Sequence, residues 1–191
     1  MRLYFLLSLG LLCKVWLCSA QNLVLNPSFE EYTKCPDDGG QIYYCPYWYD
    51  VNKHYVNYYH YCSPNGYKPR KPPRTGSAIA GITGLSSLGE LMFNDLRTYA
   101  EGILSKTLHK DSFYYVEFYV QLSEIYRREC HIANLGLYFS NEFLDFKLNE
   151  AELLPYKPQI QNYPLKLLGD TNNWMWVSGI YIAREMKSLL L

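Results

Sequence analysis

The sequence predicts an all-β chain built as an antiparallel β-sandwich. Two stretches alternate strictly, and short turn-bounded segments separate them. In residues 112–123, Tyr114, Val116, Phe118, Val120 and Leu122 fall on one face, with Phe113, Tyr115, Glu117, Tyr119 and Gln121 on the other. Residues 132–140 repeat the pattern, with Ala133, Leu135, Leu137 and Phe139 opposite Asn134, Gly136, Tyr138 and Ser140. A period of two is the signature of a strand with one buried face. The 12 glycines and 10 prolines cut the rest into short pieces, as turns between strands require.

The elements follow in order. Residues 1–20 read as a secretory signal peptide: Arg2, an apolar run, then Cys18-Ser19-Ala20 before Gln21. No other stretch is apolar for long enough to span a membrane as a helix. Residues 22–30 read as a short strand, a turn at Asn26-Pro27 and the start of a second strand. Residues 35–62 follow, crowded with tyrosine and punctuated by Cys35, Cys45 and Cys62. Residues 64–73, with Arg74 after them, form a basic, proline-rich loop. Residues 76–81 are small, as for a strand that other backbone approaches closely. A helical turn is expected only around residues 88–99. Residues 153–168 read as loop and residues 173–183 as a last strand.

Removing the signal peptide takes away Cys13 and Cys18 and leaves Cys35, Cys45, Cys62 and Cys130. An even set in an exported chain points to disulfides, and spacing leaves all three pairings open. The balance of 18 basic and 18 acidic residues turns slightly acidic once Arg2 and Lys14 are gone. Nucleic acid and polybasic membrane contact are therefore excluded as leading readings. Motifs for a nucleophile elbow, a zinc protease or a P-loop are absent. Glu101, Glu117 and Glu124 are the carboxylates that could form a glycosidase pair.

Two surfaces carry sugar-binding chemistry, in which aromatic faces stack and polar tips orient. One is Trp48, Tyr49, Tyr58 and Tyr59, with Gln41, Asn52 and Asn57. The other is the mixed strand face of Glu117, Tyr119, Gln121, Asn134 and Tyr138. The alternative is that these tyrosines cover the sandwich and bond to loop backbone.

Several motifs together resemble a known family. They are N-L-V-L-N-P-S-F-E from Asn22, Cys35-Pro36, Gln41-Ile42-Tyr43, Trp48-Tyr49 and N-Y-Y-H-Y-C ending at Cys62. T-G-S-A-I-A-G-I from Thr75, Y-Y-V-E-F-Y-V from Tyr114 and N-L-G-L-Y-F-S from Asn134 continue the series. The set resembles the N-terminal jelly-roll domain of exported cell-surface proteins of Bacteroidetes-type bacteria, often found ahead of an OmpA-like domain. It is similar also to galactose-binding-like carbohydrate-binding modules. The resemblance covers residues 22–183 and implies a jelly-roll domain over residues 21–183 with a divergent tail at 184–191. It implies that the final strand is missing, leaving an open edge. It implies a Cys35–Cys62 bridge, with Cys45–Cys130 as a second and Cys35–Cys45 as the rival pairing. It implies a glycan or other cell-envelope partner and Glu30 as one ligand of a structural calcium; the absent motifs, not the resemblance, argue for a non-catalytic chain with no other cofactor. A contact module with no small ligand is the alternative function.

Overall fold

A computed structural model of the chain describes residues 21–53, 55–84, 97–123, 132, 134–144, 154–162, 167–185 and 188–190. The predicted signal peptide and Cys130 lie outside them. So do residues 85–96, which held most of the expected helical turn. The described chain is all-β, and its one helical element is the 3-10 turn Ile42–Tyr44. No described helix is long and apolar enough to cross a membrane.

The strands are β1 (Trp48–Asp50), β2 (Asn57–His60), β3 (Ala78–Gly81), β4 (Ala100–Ile103), β5 (Phe113–Val120), β6 (Gly136–Ser140), β7 (Ile160–Gln161), β8 (Met175–Ile182) and β9 (Ser188–Leu190). They form a five-stranded sheet in the order β1-β4-β9-β6-β7 and two ribbons, β2-β3 and β5-β8. Every pairing is antiparallel. The arrangement is compatible with a β-sandwich. The inward face of β5-β8 (Tyr114, Val116, Phe118 and Tyr181) packs on a core that includes Leu137 and Phe139 of β6. The rings of Phe139 and Tyr181 stack with centroids 4.2 Å apart.

β5 and β6 fall within the two alternating stretches, and β8 falls within the last strand expected at residues 173–183. Three other expectations change. The strand expected at the start shrinks to one bridge, Val24 to Leu104. Beyond it the chain turns, with the Phe29 N–H bonded to the Asn26 carbonyl at 3.1 Å. Pro27 has no N–H to give a ladder, which limits how far a strand can extend. Just beyond the segment expected to hold a helical turn, where no strand was expected, Ala100–Ile103 is strand β4, paired with β1 and β9. The tail at 184–191, expected to leave an edge open, supplies β9. Tyr138 and Glu101 both face Leu190 across it, so β9 joins β6 to β4 inside the sheet.

Cys35 and Cys62 are bridged, their Cα atoms 5.6 Å apart across a sequence separation of 27. Closing a loop of that length stabilises the fold by roughly 3.5 kcal/mol in the chain-entropy picture. Cys45 is a buried free thiol, so neither pairing proposed for it forms. Its sulfur sits in the core, where Asn26 Nδ2 donates to it at 3.1 Å. Burial pushes the thiol up to about 12, so it stays protonated and unreactive at neutral pH.

Candidate functional site

The first candidate surface divides between core and exterior. Trp48 is 3% exposed and Tyr58 is fully buried. The Trp48 indole N–H donates to the Asn26 carbonyl at 2.9 Å, and its ring lies 4.6 Å from that of Phe29. Tyr58 donates its hydroxyl to the Phe29 carbonyl at 2.8 Å. Both side chains hold the N-terminal turn onto the core, so the sugar-stacking role expected for them is corrected. Tyr59 stacks on Tyr67, and Tyr138 stacks on Tyr156 with centroids 4.6 Å apart beside a small second core of Val51, Leu144 and Leu154. Asn134 is exposed, in the approach to β6. Tyr49 remains at the surface and meets Phe143 edge to face.

Glu30, the expected calcium ligand, is tied to the backbone at the start of β3. Its carboxylate accepts the Ser77 N–H at 2.9 Å and the Ala78 N–H at 3.1 Å. A Cβ at position 76 would lie 2.2 Å from Glu30 Oε1, and Gly76 has φ 67°. Glycine there is what lets the carboxylate reach the backbone of β3. Among the described residues no cluster of three or more acidic, histidine or cysteine side chains could hold a metal ion. Glu101 is buried on β4 and accepts the Leu144 N–H at 3.1 Å, which makes it a structural acceptor. Glu124 lies outside the described residues.

The second candidate surface stays together. Along the outward face of β5-β8 the register sets Phe113 opposite Ile182, Tyr115 opposite Ile180, Glu117 opposite Ser178, and Tyr119 opposite Trp176. Eight regular residues per strand keep these side chains on one side, since alternate residues share a face. Glu117 is the hub. Its Oε2 accepts from the Tyr115 hydroxyl at 3.2 Å, the Tyr119 hydroxyl at 3.4 Å and the Trp176 indole N–H at 3.0 Å. Three aromatic side chains are thus tied to one carboxylate at the surface. Its other oxygen has no partner among the described residues.

The basic loop closes one end of this face. The Arg74 guanidinium lies 3.5 Å from the centre of the Tyr119 ring. Trp174 donates its indole N–H to the Pro72 carbonyl at 3.2 Å, and Lys71 donates to the Thr171 carbonyl. The basic, proline-rich loop is therefore docked on the ribbon. The opposite end is apolar, with Phe113 72%, Ile180 61% and Ile182 55% exposed.

Glu117 and Tyr119 were legible as site residues in the strand pattern. Tyr115 was assigned to the same face without a role, and Trp176 was read only as part of the last strand. Pairing of β5 with β8 supplies it, and nothing in the sequence sets that register. Compared with protein-family models, with curated proteins and with solved structures, the chain matches none.

Proposed function

We propose that the chain is an exported, non-catalytic binding module that holds a glycan on the outer face of β5-β8. One observation carries the reading: Glu117 fixes Tyr115, Tyr119 and Trp176 on the outward face of one strand pair. Rigid aromatic rings give large contact area at low entropic cost. The free carboxylate oxygen and the Arg74 guanidinium supply an acceptor and donors for hydroxyls beside those rings. The signal-peptide pattern and the Cys35–Cys62 bridge support export to an oxidising compartment. The jelly-roll topology and the motif resemblance belong to the same reading.

The test is a glycan array followed by affinity electrophoresis on the polysaccharides that bind. Trp176→Ala and Tyr119→Ala are expected to weaken binding about tenfold or more, close to 1.4 kcal/mol. Silence across plant, algal and peptidoglycan sugars sinks the proposal. A second reading, a protein-contact module, is favoured by the contiguous apolar end of the same face. Phe113, Ile180 and Ile182 form the kind of patch that marks protein contact surfaces. Phe113→Asp with Ile180→Asp would abolish self-association or partner contact there, while leaving glycan binding unchanged.

A further inference from the structure

The basic loop sets the charge at one end of the β5-β8 face. β5 and β8 themselves, eight residues each, hold a single charged side chain, Glu117. The docked loop carries Lys68, Arg70, Lys71 and Arg74. Trp174 and Tyr119 hold it at the end where Val120 pairs with Met175. Two acids flank it, Glu117 and Asp170. Asp170 gives both oxygens to N–H groups of Asn172 and Asn173, and Glu117 gives one to three ring donors. This end is therefore cationic, in a chain whose 18 basic and 18 acidic residues balance.

Arg74 is the cation that the fold positions. Its guanidinium carbon lies 3.5 Å from the centre of the Tyr119 ring. At that separation the planar group lies flat on the ring, because edge-on its nitrogens would press into it. A guanidinium stacked this way keeps its N–H fork pointing outward past the ring edge. Among the described residues Arg74 makes no hydrogen bond and no ion pair. Tyr119 is itself held by Glu117 and stands opposite Trp176. A fork of donors is thus held beside two aromatic rings with no acid of its own. Holding it in advance lowers the entropic cost of binding. Its geometry matches a carboxylate or a sulfate through two parallel hydrogen bonds.

We propose that this end of the face binds the anionic group of an acidic polysaccharide, with Arg74 as the residue that reads the charge. Carboxylate and sulfate share the chemistry. The guanidinium takes the anion, the sugar ring lies on Trp176, and a hydroxyl donates to the open oxygen of Glu117. The assignment rests on the glycan reading for the sugar and deepens it by naming the charge that the sugar carries. It makes Arg74 a specificity residue: a neutral polymer still meets the rings but leaves the guanidinium without a counter-charge.

The experiment uses two matched pairs on the mature chain at low salt: polygalacturonate against its methyl ester, and carrageenan against its desulfated form. Each pair keeps the sugar rings and removes the charge. Polyglutamate supplies charge without sugar. At least one acidic polymer is expected to bind, and its neutral form to bind about tenfold more weakly or less. The first pair identifies carboxylate and the second sulfate. Arg74→Gln is expected to weaken the acidic polymer about tenfold and leave the neutral one unchanged. Arg74→Lys keeps the charge without the planar fork and is expected to restore only part. Arg184→Gln removes the same charge from an exposed position at the opposite end of the ribbon and is expected to change nothing. The proposal is overturned if the neutral forms bind as tightly as the acidic ones. It is overturned also if Arg74→Gln loses no more than Arg184→Gln, or if polyglutamate binds as well as the polysaccharides. The two readings fail separately. Binding that is lost in Trp176→Ala but indifferent to charge removes the role of Arg74 alone, and silence from every polysaccharide removes both.

Discussion

Asn26 shows how one residue sets the N-terminal turn. Its amide donates to the Glu31 carbonyl, the Cys45 sulfur and the Pro46 carbonyl, and its Oδ1 accepts the Glu31 N–H. Its φ of 47° lies in the left-handed region that asparagine tolerates better than most residues. Asn26→Ala is expected to lower stability by about 2–4 kcal/mol, because buried partners lose their bonds and the backbone loses a tolerant residue. Urea unfolding measures it; a loss below about 0.5 kcal/mol would contradict the hub role. His60 ties folding to pH. It is buried, and its Nδ1 accepts the Cys62 N–H at 2.9 Å. Burial holds the imidazole below its ordinary value, against a smaller opposing pull from Glu30. The unfolded chain therefore takes up a proton near pH 6.5 that the folded chain resists. The contribution is full above that pH and is lost as pH falls toward the lower folded value. The unfolding midpoint is expected to drop on acidification below about pH 6.5, and less steeply in His60→Asn. Trp48 and Tyr58 mark the limit of legibility at this scale. Their stretch contains Tyr47, Lys53 and Tyr55 at positive φ. Each such residue turns the backbone out of the pleat, so alternation no longer tells inside from outside.

The long strands were legible because they are regular. β5 carries four apolar positions in strict alternation, and three of them, Tyr114, Val116 and Phe118, pack on the core. The shortest strands were not. β7 has two residues and β9 three, too few for a period to register, and their existence depends on partners remote in sequence. β4 was missed for a related reason: Ala100-Glu101-Gly102-Ile103 has a buried glutamate and a glycine where a strand pattern wants β-branched residues. That glycine has a packing cause. A Cβ at position 102 would lie 2.9 Å from the Trp48 ring across the β1-β4 pair. Gly102→Val is expected to cost about 1–3 kcal/mol by overpacking. Thermal unfolding checks it, and pairing the change with Trp48→Leu should recover part of the loss. Full additivity of the two substitutions would show that the ring and the glycine do not meet.

At the scale of the molecule, one short strand decides whether the larger sheet is continuous. β9 pairs with β4 on one side and β6 on the other. Deleting residues 184–191 would leave two smaller sheets with unpaired edges, which are sites of aggregation. The deletion is expected to cost more than about 3 kcal/mol, from several ladder bonds at about 1 kcal/mol each, and to raise light scattering on warming. An unchanged midpoint with monomeric behaviour would show that β4 and β6 do not depend on it. The same feature also fixes an order of events in time. A ribosome makes β4, then β6, and reaches residues 188–190 only after both. Until then the two halves of the sheet have nothing to join them, however well each has begun to form. Domains usually fold as units while synthesis proceeds, and non-local pairing is slow. The larger sheet stays incomplete until residues 188–190 emerge, so it is still unfinished while chaperones can engage it.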